Sequence, residues 1–132
     1  MEAREFLSTV RDRGSYADRT EAEQVTRAVL AVLGRRLGAD VAKDVAVQLP
    51  VGLQESLTNT AGPVEGFGPD AFLSRVAQAL GTSIATAKWD VGAVLSTLAD
   101  ALSVDQLAQL MGVLGPGYAI LFGQRVPAAV TR

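Results

Sequence analysis

Two carboxylates one helical turn apart, Asp40 and Asp44, come nearest in this chain to an acid–base or magnesium pair. Lys43 beside them and the distant Lys88 are the only lysines, and neither joins a recognised catalytic constellation. Histidine and cysteine are both absent. That removes the commonest general base, the commonest metal ligand and the usual near-neutral pH switch. It also removes disulfides, thiolate nucleophiles and cysteine-ligated zinc or iron–sulfur sites. Capping or solvation explains Asp40, which has a counterpart in Asp105, whereas Asp44 aligns with Gln109. Gly62, Gly66 and Gly68 lie close together, but no phosphate-loop pattern and no preceding strand accompany them. The sequence therefore predicts no catalytic residue, no cofactor and no metal, and a protein that is not an enzyme.

Charge narrows the partners. The net charge is -2, so the global field does not draw the chain to nucleic acid. Eight basic residues fall within positions 1–60, with Arg35 and Arg36 placed to suit a helix C-terminus. Nine acidic residues share that same stretch, which makes it a mixed, solvated surface, and no nucleic-acid partner is expected. The opening Met1-Glu2-Ala3-Arg4-Glu5 is charged and does not resemble a signal peptide. Gln106 to Gln124 carries no charge, but Gln109 and Gly115-Pro116-Gly117 interrupt it, so no membrane insertion is expected. A soluble, cytoplasmic protein is the expectation.

The elements that would position these residues are helical, and they repeat. Phe6-Leu7-Ser8-x-Val10 returns as Phe72-Leu73-Ser74-x-Val76, and Ala28-Val29-Leu30-x-x-Leu33 returns as Ala93-Val94-Leu95-x-x-Leu98. Leu37, Leu49 and Leu57 match Leu102, Leu114 and Phe122. Such an ordered period implies two copies of one supersecondary unit. The expected fold is all-α: a compact bundle of about eight helical segments, built from two pseudo-symmetric repeats of about 65 residues that share one core. Repeat one is placed at 2–57, a linker at 58–68, repeat two at 69–122 and a tail at 123–132, together one domain over 1–132.

Stop and start signals set the segments. A first helix is expected over 2–12, ended by Gly14 and Ser15. The second starts at a capping box, Thr20 with Glu23 or the competing Asp18 with Glu21, and stops at Gly38. Asp40 is expected to cap a third, and Pro50 to end it or to open the next at its first position. A short fourth helix carries Leu53 and Leu57. Pro69 opens the fifth and Gly81 breaks it; Thr82 or Ser83 caps a long sixth reaching Leu102; Ser103 with Gln106 boxes the seventh. Tyr118, Leu121 and Phe122 form the last turns.

What repeats is apolar. Helical stripes are core first, and Trp89 is read so before it is read as an interface or ligand wall. Met111, Tyr118, Ile120 and Phe122, however, sit in a charge-free stretch larger than one small core hides. With Trp89 they are the candidate interface, because aromatics and methionine are enriched in interface cores.

With those positions in hand, the chain resembles the bacterial family called domain of unknown function 2267, over about residues 4 to 122. The resemblance lies in the Phe-Leu-x-x-Val-like openings at Phe6 and Phe72 and in the helix Ala22-Glu23-Gln24-Val25-Thr26-Arg27-Ala28-Val29-Leu30. It continues through Lys43-Asp44-Val45-Ala46-Val47-Gln48-Leu49-Pro50 and Tyr118-Ala119-Ile120-Leu121-Phe122. The second Gln-Leu-Pro has drifted to Val113-Leu114-Gly115, and Gly92 stands where the first half has Arg27. The family implies a compact helical fold and no established activity. Arg27, Asp44 and Gln48 are its polar motif residues, with a surface ion pair and a helix-end hydrogen bond as their plain roles. The leading functional expectation is a non-enzymatic helical interaction or structural module that self-associates or docks on a protein partner. The alternative is a small-ligand-binding regulatory domain with a pocket between the two repeats.

Overall fold

A computed structural model describes residues 1–123, and their regular structure is entirely helical. Seven α-helices come first: α1 (Ala3–Gly14), α2 (Arg19–Leu37), α3 (Ala39–Ala46), α4 (Gln54–Thr58), α5 (Pro69–Leu80), α6 (Ile84–Ala101) and α7 (Val104–Leu114). A 3-10 helix, Pro116–Phe122, follows them. Its first turn closes with an i to i+3 bond, Tyr118 N–H to the Gly115 carbonyl, and Gly117 within that turn has low α-helix propensity. Of the expected tail, only Gly123 lies within the described residues.

Local chemistry accounts for most helix ends. Asp18 caps α2, its carboxylate accepting from Glu21 N–H, while the Glu21 carboxylate accepts from Ala17 N–H. The Asp18–Glu21 pair is thus the one that forms. Ser83 caps α6 by accepting from Thr86 N–H. Ser103 and Gln106 make the reciprocal box at α7. Asp40 is not the cap of α3: that position is Gly38, with φ at +85°, and Asp40 lies in the first turn, where its charge suits the helix dipole. Gly38 therefore both stops α2 and starts α3, which leaves no room for a separate cap residue.

The long helices α2 and α6 pack on each other, and each is covered from both halves of the chain. α1 lies on both α2 and α6, and α5 likewise lies on both. α4 closes over α2 and the 3-10 helix over α6. Phe6, Leu30, Leu33, Phe72, Leu95 and Leu98 are among the fully buried side chains of one continuous apolar cluster. Each contributes about 1.5–3 kcal/mol through burial. Gly34 admits α4: a Cβ there would come within 2.0 Å of the Leu57 carbonyl oxygen.

The connection between α4 and α5 is held as well. The Phe67 carbonyl accepts from Arg36 Nε at 2.9 Å and from the Tyr118 hydroxyl at 2.8 Å. The Phe67 ring lies under the Arg75 guanidinium, 3.9 Å from its centroid, and beside the Phe72 ring. Arg36 also donates to the Leu114 carbonyl, so one guanidinium joins the end of α2, the linker and the end of α7. No helix among the described residues is long and apolar enough to cross a membrane.

One core group is unsatisfied. The Thr26 hydroxyl is fully buried on α2 and makes no hydrogen bond. An orphaned buried hydroxyl costs about 1–3 kcal/mol. Val91, at the matching place on α6, is fully buried too. Thr26→Val keeps the shape and removes the orphan. It should stabilise the fold by about 1 kcal/mol in urea unfolding, and a loss of stability would mean that the hydroxyl has a partner.

Candidate functional site

The turn between α1 and α2 is short and carries an aromatic, Gly14-Ser15-Tyr16-Ala17. Tyr16 folds back over Gly14, where a Cβ would lie 2.1 Å from the ring. That fold-back brings the turn onto two consecutive residues of α6. The Tyr16 hydroxyl donates to Asp90 Oδ1 at 2.5 Å, and Trp89 Nε1 donates to the Gly14 carbonyl at 2.9 Å. Asp90 faces inward and is only 4% exposed, whereas Trp89 faces outward and is 58% exposed. Arg13, at the end of α1, reaches α6 further along, donating to Ser96 Oγ at 3.0 Å and pairing with Asp100.

A groove of about 500 Å³ follows from this arrangement. Trp89 and Arg13 wall it, Lys88 and Ser96 line it, and Gly92 leaves its floor open. Burial raises the Asp90 carboxyl above the usual aspartate range; the Tyr16 hydrogen bond opposes that shift and the Glu21 charge adds to it. The Tyr16 hydroxyl is raised as well, first by its own burial and then by Asp90.

A smaller cavity of about 160 Å³ lies between α3 and α7. Val45 and Leu110 form its buried floor, and Asp44, Gln48, Gln109 and Val113 stand at its exposed rim. Two of the three polar motif residues meet here. The third does not: Arg27 is engaged on the outside of α2, donating to Glu23 Oε2 at 2.9 Å, Ser56 Oγ at 2.7 Å and the Gly52 carbonyl. It fastens α2 to α4.

The candidate interface residues separate. Tyr118 and Phe122 are each 1% exposed and belong to the core, where Tyr118 packs edge-on against Phe72. In the 3-10 helix they face α6 and α5. Met111 is half-buried against the core. Trp89 and Ile120, at 58% and 66% exposed, are on the surface. Trp89 is thus not a core residue, contrary to the first expectation from its stripe. Met111, Tyr118, Ile120 and Phe122 do not form one patch, because the last turn shows its two faces to opposite environments.

The sequence matches one family model over almost all of these helices. The chain belongs to the uncharacterized conserved protein family DUF2267. Its pattern covers residues 3–121. No curated protein matches the chain. The DUF2267 match thus spans both grooves and all seven α-helices. Among the described residues, no group of three or more carboxylates could hold a metal ion. Sequence reading passed over Tyr16 and Asp90, and placed Arg13 only among the basic residues of positions 1–60. The available signal was Asp90 itself, an acid on the buried stripe of Ala87, Val91 and Val94.

Asp90 gives a pH prediction with a definite sign. A carboxyl whose pKa is raised by folding binds its proton more tightly in the folded state. Ionised Asp90 therefore costs stability above its folded pKa, and that cost is relieved as pH falls through the folded pKa toward the ordinary aspartate range. Asp90→Asn keeps an acceptor for Tyr16 and never ionises. It should be more stable than the parent at pH 7, with the gap narrowing as pH is lowered, in parallel urea titrations. A variant less stable at pH 7 would show that the charged hydrogen bond outweighs the burial.

Proposed function

We propose that the chain is a non-enzymatic interaction module that self-associates or docks on a protein partner through the face carrying Trp89. The observation that carries this reading is the exposed indole. Trp89 is more than half in water although it is the only tryptophan, and its N–H is already satisfied by Gly14. A tied indole beside an open groove loses little further freedom when a partner covers it, and tryptophan is enriched among residues that dominate binding energy.

A fold of two pseudo-symmetric repeats belongs to the same proposal, and the helix lengths and packing are consistent with it. α1 and α5 are both twelve residues long. Exchanging the halves turns the α1–α6 packing into the α5–α2 packing and leaves α2–α6 unchanged, as two pseudo-symmetric repeats in one domain require. Arginines in such a structure serve the fold more than a phosphate backbone: Arg13, Arg27 and Arg75 pair with Asp100, Glu23 and Glu65.

Removing the indole tests the proposal. Trp89→Ala should keep the circular dichroism of the parent yet lose the assembly, or the stoichiometric co-purifying protein, found with the parent by light scattering and affinity purification. Equal behaviour of the two proteins in both measurements would refute it.

The second reading, a small-ligand regulatory pocket between the repeats, has its own observation: Asp44 and Gln48 meet Gln109 and Val113 across the cavity between α3 and α7. Its volume of about 160 Å³ is below the roughly 300–1,000 Å³ of ordinary ligand sites, so only a compact ligand fits. Fragment titration should move the side-chain amide resonances of Gln48 and Gln109 together; amides that stay still across the library would dismiss this reading.

A further inference from the structure

We infer that the groove beside Trp89 takes an acidic amphipathic helix of a partner protein, a reading that rests on the Trp89 face being the docking surface. The argument begins with the same place one repeat earlier. There, Glu23 and Arg27 form an ion pair at 2.9 Å, and Arg27 continues to Ser56, so that stretch of α2 is covered and its charges are spent. The residues 65 positions on are Lys88 and Gly92. The sign at the first position is reversed, and the covering arginine is gone. A Cβ added at Gly92 would meet nothing within 4 Å, so the arginine has been replaced by open space.

Lys88 is exposed and forms no ion pair among the described residues. Arg13 stands across the groove, and both groups on its lining that carry full charge are cations. Arg13 is already paired with Asp100, so Lys88 is the cation on the lining left without a carboxylate, and an acidic partner supplies one. Shape selects a helix. Ala85, Trp89, Gly92 and Ser96 follow one another at spacings of four, three and four, so they share one face of α6. Small residues on either side of one large anchor let a second helix axis come close, in the way amphipathic helices seat in grooves.

The test uses the full chain and two designed sixteen-residue helical peptides without tryptophan. Both carry alanine and leucine on the docking face, and they differ only in glutamate or lysine at the flanking positions. Trp89 emission then reports the groove directly, since the chain has no other tryptophan. The glutamate peptide should shift the emission to the blue saturably and the lysine peptide should not. Lys88→Glu, with unchanged circular dichroism, should weaken binding of the glutamate peptide by about tenfold or more, as should added salt. Equal binding of both peptides would overturn the acidic choice while leaving the docking surface standing. No shift with either would overturn the inference, whereas the docking surface itself stands or falls on Trp89→Ala. A blue shift that grows with protein concentration alone would assign the groove to a second copy and overturn the inference.

Discussion

Neither α2 nor α6 can be covered from within its own half of the chain. Both are apolar around more than one side, and each buries residues that no amphipathic stripe of ordinary width would include. α1 must therefore lie on α6 as well as on α2, and α5 on α2 as well as on α6. This exchange of cover makes one core from two halves, each of which would be marginal at its size. It also explains why the linker is held so firmly. If α5 is to reach α2, the chain before it must be fixed, and the Phe67 carbonyl receives both Arg36 and Tyr118.

The two long helices differ at the surface. Where the first half closes the outside of α2 with Arg27, the second leaves α6 open at Gly92. The turn at Gly14 to Tyr16 partly compensates, since it ties Trp89 and buries Asp90. A buried acid bonded by one tyrosine is not a low-cost way to hold a turn. Its position beside Trp89 means that the same contact which fixes α1 on α6 also sets the wall of the groove.

Much of the fold was legible in the sequence. Ser103 with Gln106, Pro69, Gly38 and Gly81 marked helix ends because capping and backbone freedom are local properties. Asp40 misled because Gly38, two residues away, satisfies the same need. The candidate site was less legible. Periodicity identifies an apolar face but not which neighbour covers it, so Trp89 and Tyr118 looked alike on paper. In the structure Tyr118 finds Phe72 and the Phe67 carbonyl, whereas Trp89 faces the gap left by Gly92. The pairing of Tyr16 with Asp90 spans 74 positions and left no local trace beyond an acid on a buried stripe.

The central claim is that the Trp89 face is covered when the protein works. Tryptophan-directed oxidative footprinting, read by mass spectrometry in living host cells and on the purified chain, tests it most directly. Trp89 should label readily in the purified protein, as its exposure requires, and be protected severalfold in cells. Equal labelling of Trp89 in both settings would contradict the account.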